Sequence, residues 1–146
     1  MGLIDDLAGR TVFVDTDVLI YHLQNHATYG KIVSPVLETI GDLQLRGFTS
    51  AVVLCELFTK PHLVGDRELL QRCRRCVQET ATFETLPITT EVAEAGAILR
   101  AEYNLRTPDA LNVAAARVAG VETFVTNDHR MRRVATPAVL IVDDYA

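Results

Sequence analysis

The chain has 146 residues, 49% of them hydrophobic, and a formal net charge of −5. That length gives one domain with a substantial core and is too short for two, and the acidic balance excludes nucleic-acid binding by the whole-molecule field, leaving only a local basic patch or a bound cation. Three cysteines, Cys55, Cys73 and Cys76, in apolar or helical settings, argue against a disulfide framework and for a reducing compartment.

Residues 1–10 read as a short lead-in. The segment MGLIDDLAGR carries two acids and lacks the basic, then apolar, pattern of a signal peptide. Asp6 stands where a myristoylation motif needs Ser or Thr. No apolar run approaches the length of a membrane span, so a cytoplasmic protein without membrane attachment is expected. Val12, Phe13 and Val14 then run straight into Asp15, and an apolar stripe of Val18, Leu19, Tyr21 and His22 follows. The pattern predicts a buried strand over 11–15 and a helix from there to about Gln24. Thr28 to Arg46 has helical spacing, with Pro35 predicting a kink or a new start and Gly47 a C-cap. Phe48 to Ser50 is a short strand, and Ser50 caps a helix from Ala51 to Lys60. Pro61 and Gly65 mark a loop, and Asp66 caps a helix from Arg67 to Gln78. Phe83 to Ile88 is a third strand. Thr90 to Tyr103 is helical, and Thr107-Pro108-Asp109 opens another helix to about Ala119, ended by Gly120. Thr123 to Thr126 is the fourth strand, Asn127-Asp128 caps a short helix through Met131, and Val139 to Val142 is the fifth strand. Strands alternating with helices predict a parallel sheet covered on both faces, with residues 1–146 forming a single domain.

Four acids have unusual settings. Asp15 ends the first strand, Glu56 lies within the apolar helix AVVLCELF, Asp109 is in the first turn of its helix, and Asp128 follows the fourth strand. Each has a plain reading. Asp15, Asp109 and Asp128 are at positions where helices take caps or favour negative charge, and Glu56 can face solvent and pair with Lys60. Together they converge. In a parallel sheet the first and fourth strands end at one edge, and ligands collect at the carboxyl ends of such strands. The helix of Glu56 begins at that edge, and the helix of Asp109 must descend from it into the tight Gly120 turn, while the helix ending near Tyr103 lies obliquely. Two like charges about 4 Å apart at an effective dielectric of about 20 repel by about 4 kcal/mol, so such a group persists by protonation or by binding cations. Oxygen ligands without Cys or His favour Mg²⁺ or Mn²⁺, which suits phosphodiester hydrolysis by an activated water. Thr126 and Asn127 are placed to orient the ligands.

The same residues carry a resemblance. VFVDTDVLI, the Glu within AVVLCELF, TPDALNVAAA and TFVTNDHRM, in that order and spacing, resemble a PIN-domain ribonuclease, and most of all the VapC-type toxins of prokaryotic toxin–antitoxin systems. The likeness runs from Thr11 to Val142. It implies a three-layer α/β/α fold with a five-stranded parallel sheet in the order 3-2-1-4-5. It further implies an Mg²⁺- or Mn²⁺-dependent endoribonuclease, a homodimer, and inhibition by a cognate antitoxin protein. Asp15, Glu56, Asp109 and Asp128 would form the acidic metal site, supported by Thr126. Position 17, more often Asn or Ser in the family, is Asp here; Asp17 would join the site or raise its charge.

Other signals are weaker. Cys73 and Cys76 fit C-x-x-C but read as two small residues on one helix face. His22 and His26 have metal-compatible i, i+4 spacing yet read as a partly exposed face. Arg106 and Arg130 are candidate RNA phosphate contacts or solvated surface charge. A rival enzyme is a haloacid-dehalogenase-like phosphatase with Asp15 as nucleophile and Asp17 as general acid; it leaves Glu56 and Asp109 without a task. A third reading is a PIN-like binding module without turnover.

Overall fold

The structure, a computed structural model, describes residues 2–146. Its centre is one sheet of five parallel strands in the order β3-β2-β1-β4-β5: β1 (Val12–Val14), β2 (Gly47–Ser50), β3 (Phe83–Leu86), β4 (Thr123–Thr126) and β5 (Ala138–Ile141). Every residue of β1, β2 and β4 is buried. Successive side chains point to opposite faces, so both faces are covered, as in a three-layer α/β/α fold. Phe13 and Phe124, partners in the β1–β4 register, stack their rings at 4.8 Å.

Among the described residues seven α-helices surround the sheet: α1 (Leu3–Leu7), α2 (Thr16–Leu23), α3 (Gly30–Gly41), α4 (Ala51–Val64), α5 (Arg67–Gln78), α6 (Thr90–Tyr103) and α7 (Thr107–Val118). Helix α2 packs on α3 and α6 on α7, while α4 touches both α2 and α7. The apolar face of α7 is built of small residues: Ala110, Ala114, Ala115 and Ala116 are buried with Val113. Short side chains let a helix axis approach its neighbours closely, and α7 packs against β2, α4 and α6.

Several boundaries depart from the sequence pattern. The lead-in contains α1, whose Leu3 and Leu7 enter the core. Helix α3 runs through Pro35 but stops at Gly41, five residues earlier than the spacing predicts. Its end is a Schellman turn, with Leu43 N–H on the Ile40 carbonyl (3.1 Å) and Gln44 N–H on the Thr39 carbonyl (3.1 Å). The left-handed position is held by Leu43 (φ 62°), where glycine is usual, so nothing in the pattern signals it. Gly47 is therefore no C-cap; it opens β2 beneath α3, where a Cβ would stand 2.6 Å from Ile40 Cδ1. Pro61 does not end α4, which continues to Val64 and closes on Gly65 in the left-handed region (φ 67°). Strands β1, β3 and β5 are each a residue or more off the predicted bounds, and the turn after Asp128 is a short 3₁₀ helix, His129–Arg133.

Candidate active site

Asp15 lies where β1 gives way to α2. Its backbone N–H still continues the sheet to the Val125 carbonyl (3.1 Å), while its carboxylate Oδ1 accepts from Thr16 N–H (2.8 Å) as the α2 N-cap. The capping role and the cluster role are thus filled by one side chain. Its Oδ2 accepts from the hydroxyl of Thr126 at the tip of β4 (2.8 Å). The parallel β1–β4 pairing, with Val14 beside Val125, is what brings these two strand ends together. Asp17, one step into α2, accepts from Val18 N–H and, across the gap, from Asn127 N–H, each at 2.8 Å. The Thr126 hydroxyl also accepts from Asp128 N–H (3.1 Å). Asp15, Asp17, Thr126, Asn127 and Asp128 therefore form one hydrogen-bonded group across the tips of β1 and β4.

The electrostatics follow from that crowding. Asp15 keeps some surface open to solvent but is ringed by protein. Burial, the neighbouring Asp17 charge and the Asp109 charge together push its pKa from 3.8 up to about 8, against the opposing bonds from Thr126 and Thr16. Asp17 is raised as well, mainly by burial, with Asp128 contributing. Asp128 goes the other way. The Arg130 guanidinium holds its carboxyl below the usual range, with Nε on Oδ1 (3.0 Å) and Nη2 on Oδ2 (2.7 Å). Asp109, in the first turn of α7, accepts from Arg106 Nε (3.0 Å). The Arg106 charge also reaches Asp128, and the Asp109 charge reaches Arg130, so the two pairs are neighbours.

Glu56 is exposed, and its partner is Thr16, whose hydroxyl donates to Oε1 (2.9 Å), rather than Lys60. Thr16 adjoins Asp15 in the chain, which ties α4 to the site. Its start is fixed by Ser50, buried at the end of β2, whose Oγ accepts from Val53 N–H (3.2 Å) and donates to the amide oxygen of buried Asn112 on α7 (2.5 Å). The donors that could serve a cation are thus all carboxylate oxygens, a hard set suited to Mg²⁺ or Mn²⁺. As the side chains lie, no three His, Cys, Asp or Glu residues among those described stand in a metal-holding group: Asp109 and Asp128 are drawn onto arginines and Glu56 onto Thr16.

Three contributors carry no motif of their own. Thr16 tethers Glu56, the Tyr21 hydroxyl oxygen accepts from Asn127 Nδ2 (3.2 Å), and Asp143 N–H donates to Asn127 Oδ1 (2.8 Å). A hydroxyl beside the strand-end acid was the one available signal, for Thr16. The weaker sequence signals resolve plainly. His26 Nδ1 accepts from Thr28 and Tyr29 N–H, and His22 Nδ1 pairs with Ser34 Oγ (2.8 Å), so the two imidazoles share no ligand position. Cys73 and Cys76 are free thiols, and burial raises the pKa of each, to about 11 for Cys76. Among the described residues, no helix is long and apolar enough to cross a membrane.

Comparison with known proteins agrees with this architecture. None of the curated proteins matches the chain. Among solved structures, a toxin–antitoxin complex from Klebsiella pneumoniae is similar at 23% identity and a TM-score of 0.68, covering 90% of this chain and 98% of that one. FitAcB from Neisseria gonorrhoeae is similar at 19% identity and a TM-score of 0.69, with coverage of 90% and 98%. Mycobacterium tuberculosis VapC20, described as a sarcin-ricin loop cleaving toxin, is similar at 13% identity and a TM-score of 0.69, with coverage of 88% and 98%. These likenesses speak for the fold. The family is given by the sequence, because the PIN domain model matches residues 12–137: this chain belongs to the PIN-domain family.

Proposed function

We propose that the protein is a divalent-metal-dependent endoribonuclease, the toxin of a toxin–antitoxin pair, with residues 1–146 acting as one catalytic domain. The observation that carries the reading is Asp15. A half-buried carboxyl pushed to about 8 by burial and by Asp17 and Asp109 stands in an excess of negative charge that a hard cation relieves. Asp15, Asp109, Asp128 and Glu56 would hold Mg²⁺ or Mn²⁺, which when bound supplies an activated water and a counter-charge for the phosphate. The chain's own residues do the rest. Thr126 and Thr16 N–H orient Asp15, Asp17 clamps the β4 tip to α2 through Asn127 N–H, and the Thr16 hydroxyl holds the Glu56 carboxylate beside the start of α2. Arg106 and Arg130 are the cations nearest the acids and the proposed contacts for the RNA backbone.

The partner reading rests on a similar structure described as a toxin–antitoxin complex. A cognate antitoxin inhibits the protein, and the protein acts as a cytoplasmic homodimer. The family match over residues 12–137 favours the nuclease over the phosphatase reading. The test is cleavage of total cellular RNA by purified protein in Mn²⁺, in EDTA, and by Asp15→Asn. Cleavage only by the parent protein in Mn²⁺ is the expected result. Equal cleavage by the variant, or cleavage in EDTA, would sink the mechanism, and no cleavage under any condition would favour a binding module.

A further inference from the structure

Arg130 grips Asp128 with two bonds, 3.0 and 2.7 Å, and a third bond ties its own N–H to the same carboxylate (3.0 Å). Arg106 holds Asp109 by a single bond, Nε on Oδ2 at 3.0 Å. Both acids are largely shielded, with 21% and 14% of their side chains exposed, while their arginines are 59% and 61% exposed. The carboxylates are thus fixed parts of the fold, and the guanidinium groups reach in from solvent on flexible stems. With two N–H groups on Oδ1 and one on Oδ2, Asp128 keeps little room for a cation, and a cation there would stand against the guanidinium charge.

We propose that Arg130 and a divalent cation are alternative occupants of Asp128, with Arg106 and Asp109 the lesser pair, so that the arginine is an internal competitor that must leave before the site can fill. This rests on the metal-dependent reading above. It accounts for an acidic cluster in which Asp109 and Asp128 are each paired with an arginine and, among the described residues, no ligating trio stands. It also gives Arg130 two partners in turn: Asp128 in the closed arrangement, and a backbone phosphate of RNA once the guanidinium is released. Coupling of this kind is reciprocal. Whatever draws Arg130 away tightens the cation, and the cation makes Arg130 available to the phosphate.

Calorimetry of Mn²⁺ binding to the parent, to Arg130→Gln and to Arg132→Gln tests this without RNA. Arg132 is the control, since it makes the same two-bond pair (2.8 and 2.6 Å), but with Asp144 outside the cluster. The expected result is a Kd about tenfold lower for Arg130→Gln, with Arg132→Gln close to the parent. Equal tightening in both variants would reduce the effect to lost positive charge and overturn the competition. Unchanged or weaker binding by Arg130→Gln would overturn it too. A second readout is the Arg130 Nε–H resonance, assigned by its loss in Arg130→Gln, followed during Mg²⁺ titration. It should shift as Mg²⁺ saturates the parent. A resonance that stays put while calorimetry records Mg²⁺ binding refutes the exchange but leaves the metal site standing. Absence of saturable binding to any of the proteins removes the metal site itself, and the competition with it.

Discussion

Asp15 does two jobs that pull its charge in opposite directions. As a cap it offers an ionised oxygen to Thr16 N–H, yet burial and Asp17 favour its neutral form. The folded protein without metal therefore binds a proton at Asp15 that the unfolded chain releases above 3.8. Where the native state binds more protons, stability falls as pH rises. In EDTA the protein should lose stability as pH climbs from 3.8 toward about 8; Asp17, also raised, adds to the same slope. Asp15→Asn should flatten this dependence, as read from urea midpoints across pH. A slope that stays as steep in Asp15→Asn would mean that Asp15 is not the proton carrier. In Mn²⁺ the same substitution should reduce RNA cleavage by about 100-fold or more, the scale for loss of a group that stabilises developing charge. Asp15, Asp109 and Asp128 were legible as acids at helix starts, where capping and the helix dipole favour them, and Glu56 only as a charge within an apolar run. Their present partners were not. Whether Asp128 faces the cluster or Arg130 is a rotamer choice settled by side chains packed in three dimensions, and spacing along a chain carries no trace of it.

Capping explains why most elements could be read in advance and where reading failed. Ser50, Asp66 and Asp128 cap as their residue types predict, accepting from Val53, Leu69 and Arg130 N–H. Helices α5 and α6 and strand β4 start and stop where the pattern places them. The end of α3 failed because its left-handed position is occupied by Leu43, a residue type that avoids that conformation. Leu43 is 63% exposed, so its side chain gains little from burial there. Leu43→Gly should therefore stabilise the fold by about 1 kcal/mol, seen as a higher urea midpoint with unchanged slope; no gain would mean that the Leu43 side chain contributes more on the surface than its backbone costs. Pro61 misled for a related reason. Proline lacks the N–H of a helix interior, but α4 passes through it and ends one turn later on Gly65, which supplies the true stop. The strand order, by contrast, came from the family resemblance, since periodicity identifies strands and says nothing of which lies beside which.

A molecule of net charge −5 gains little from long-range attraction to RNA, so binding must be local. If Arg106 and Arg130 are the phosphate contacts, single-stranded RNA affinity in the Asp15→Asn background should fall with salt at a log–log slope of about −1.4, two contacts at about 0.7 each. A slope several times steeper would implicate the exposed arginines of α5 or the 3₁₀ turn as well.

The alanines of α7 decide how far its first turn, and so Asp109, stands from the strand tips. Widening one of them, as in Ala114→Val at a site with no exposed surface, overfills a packed interior at about 1–3 kcal/mol and shifts the helix instead of unfolding the protein outright. If the protein is toxic when made alone, genetic selection for survivors becomes a map of this dependence. Escape mutations should land on Ala114, Ala115 and Ala116 as well as on the acids, and those alleles should still yield folded, abundant, harmless protein. Survivors confined to the acids would show that α7 has slack to spare.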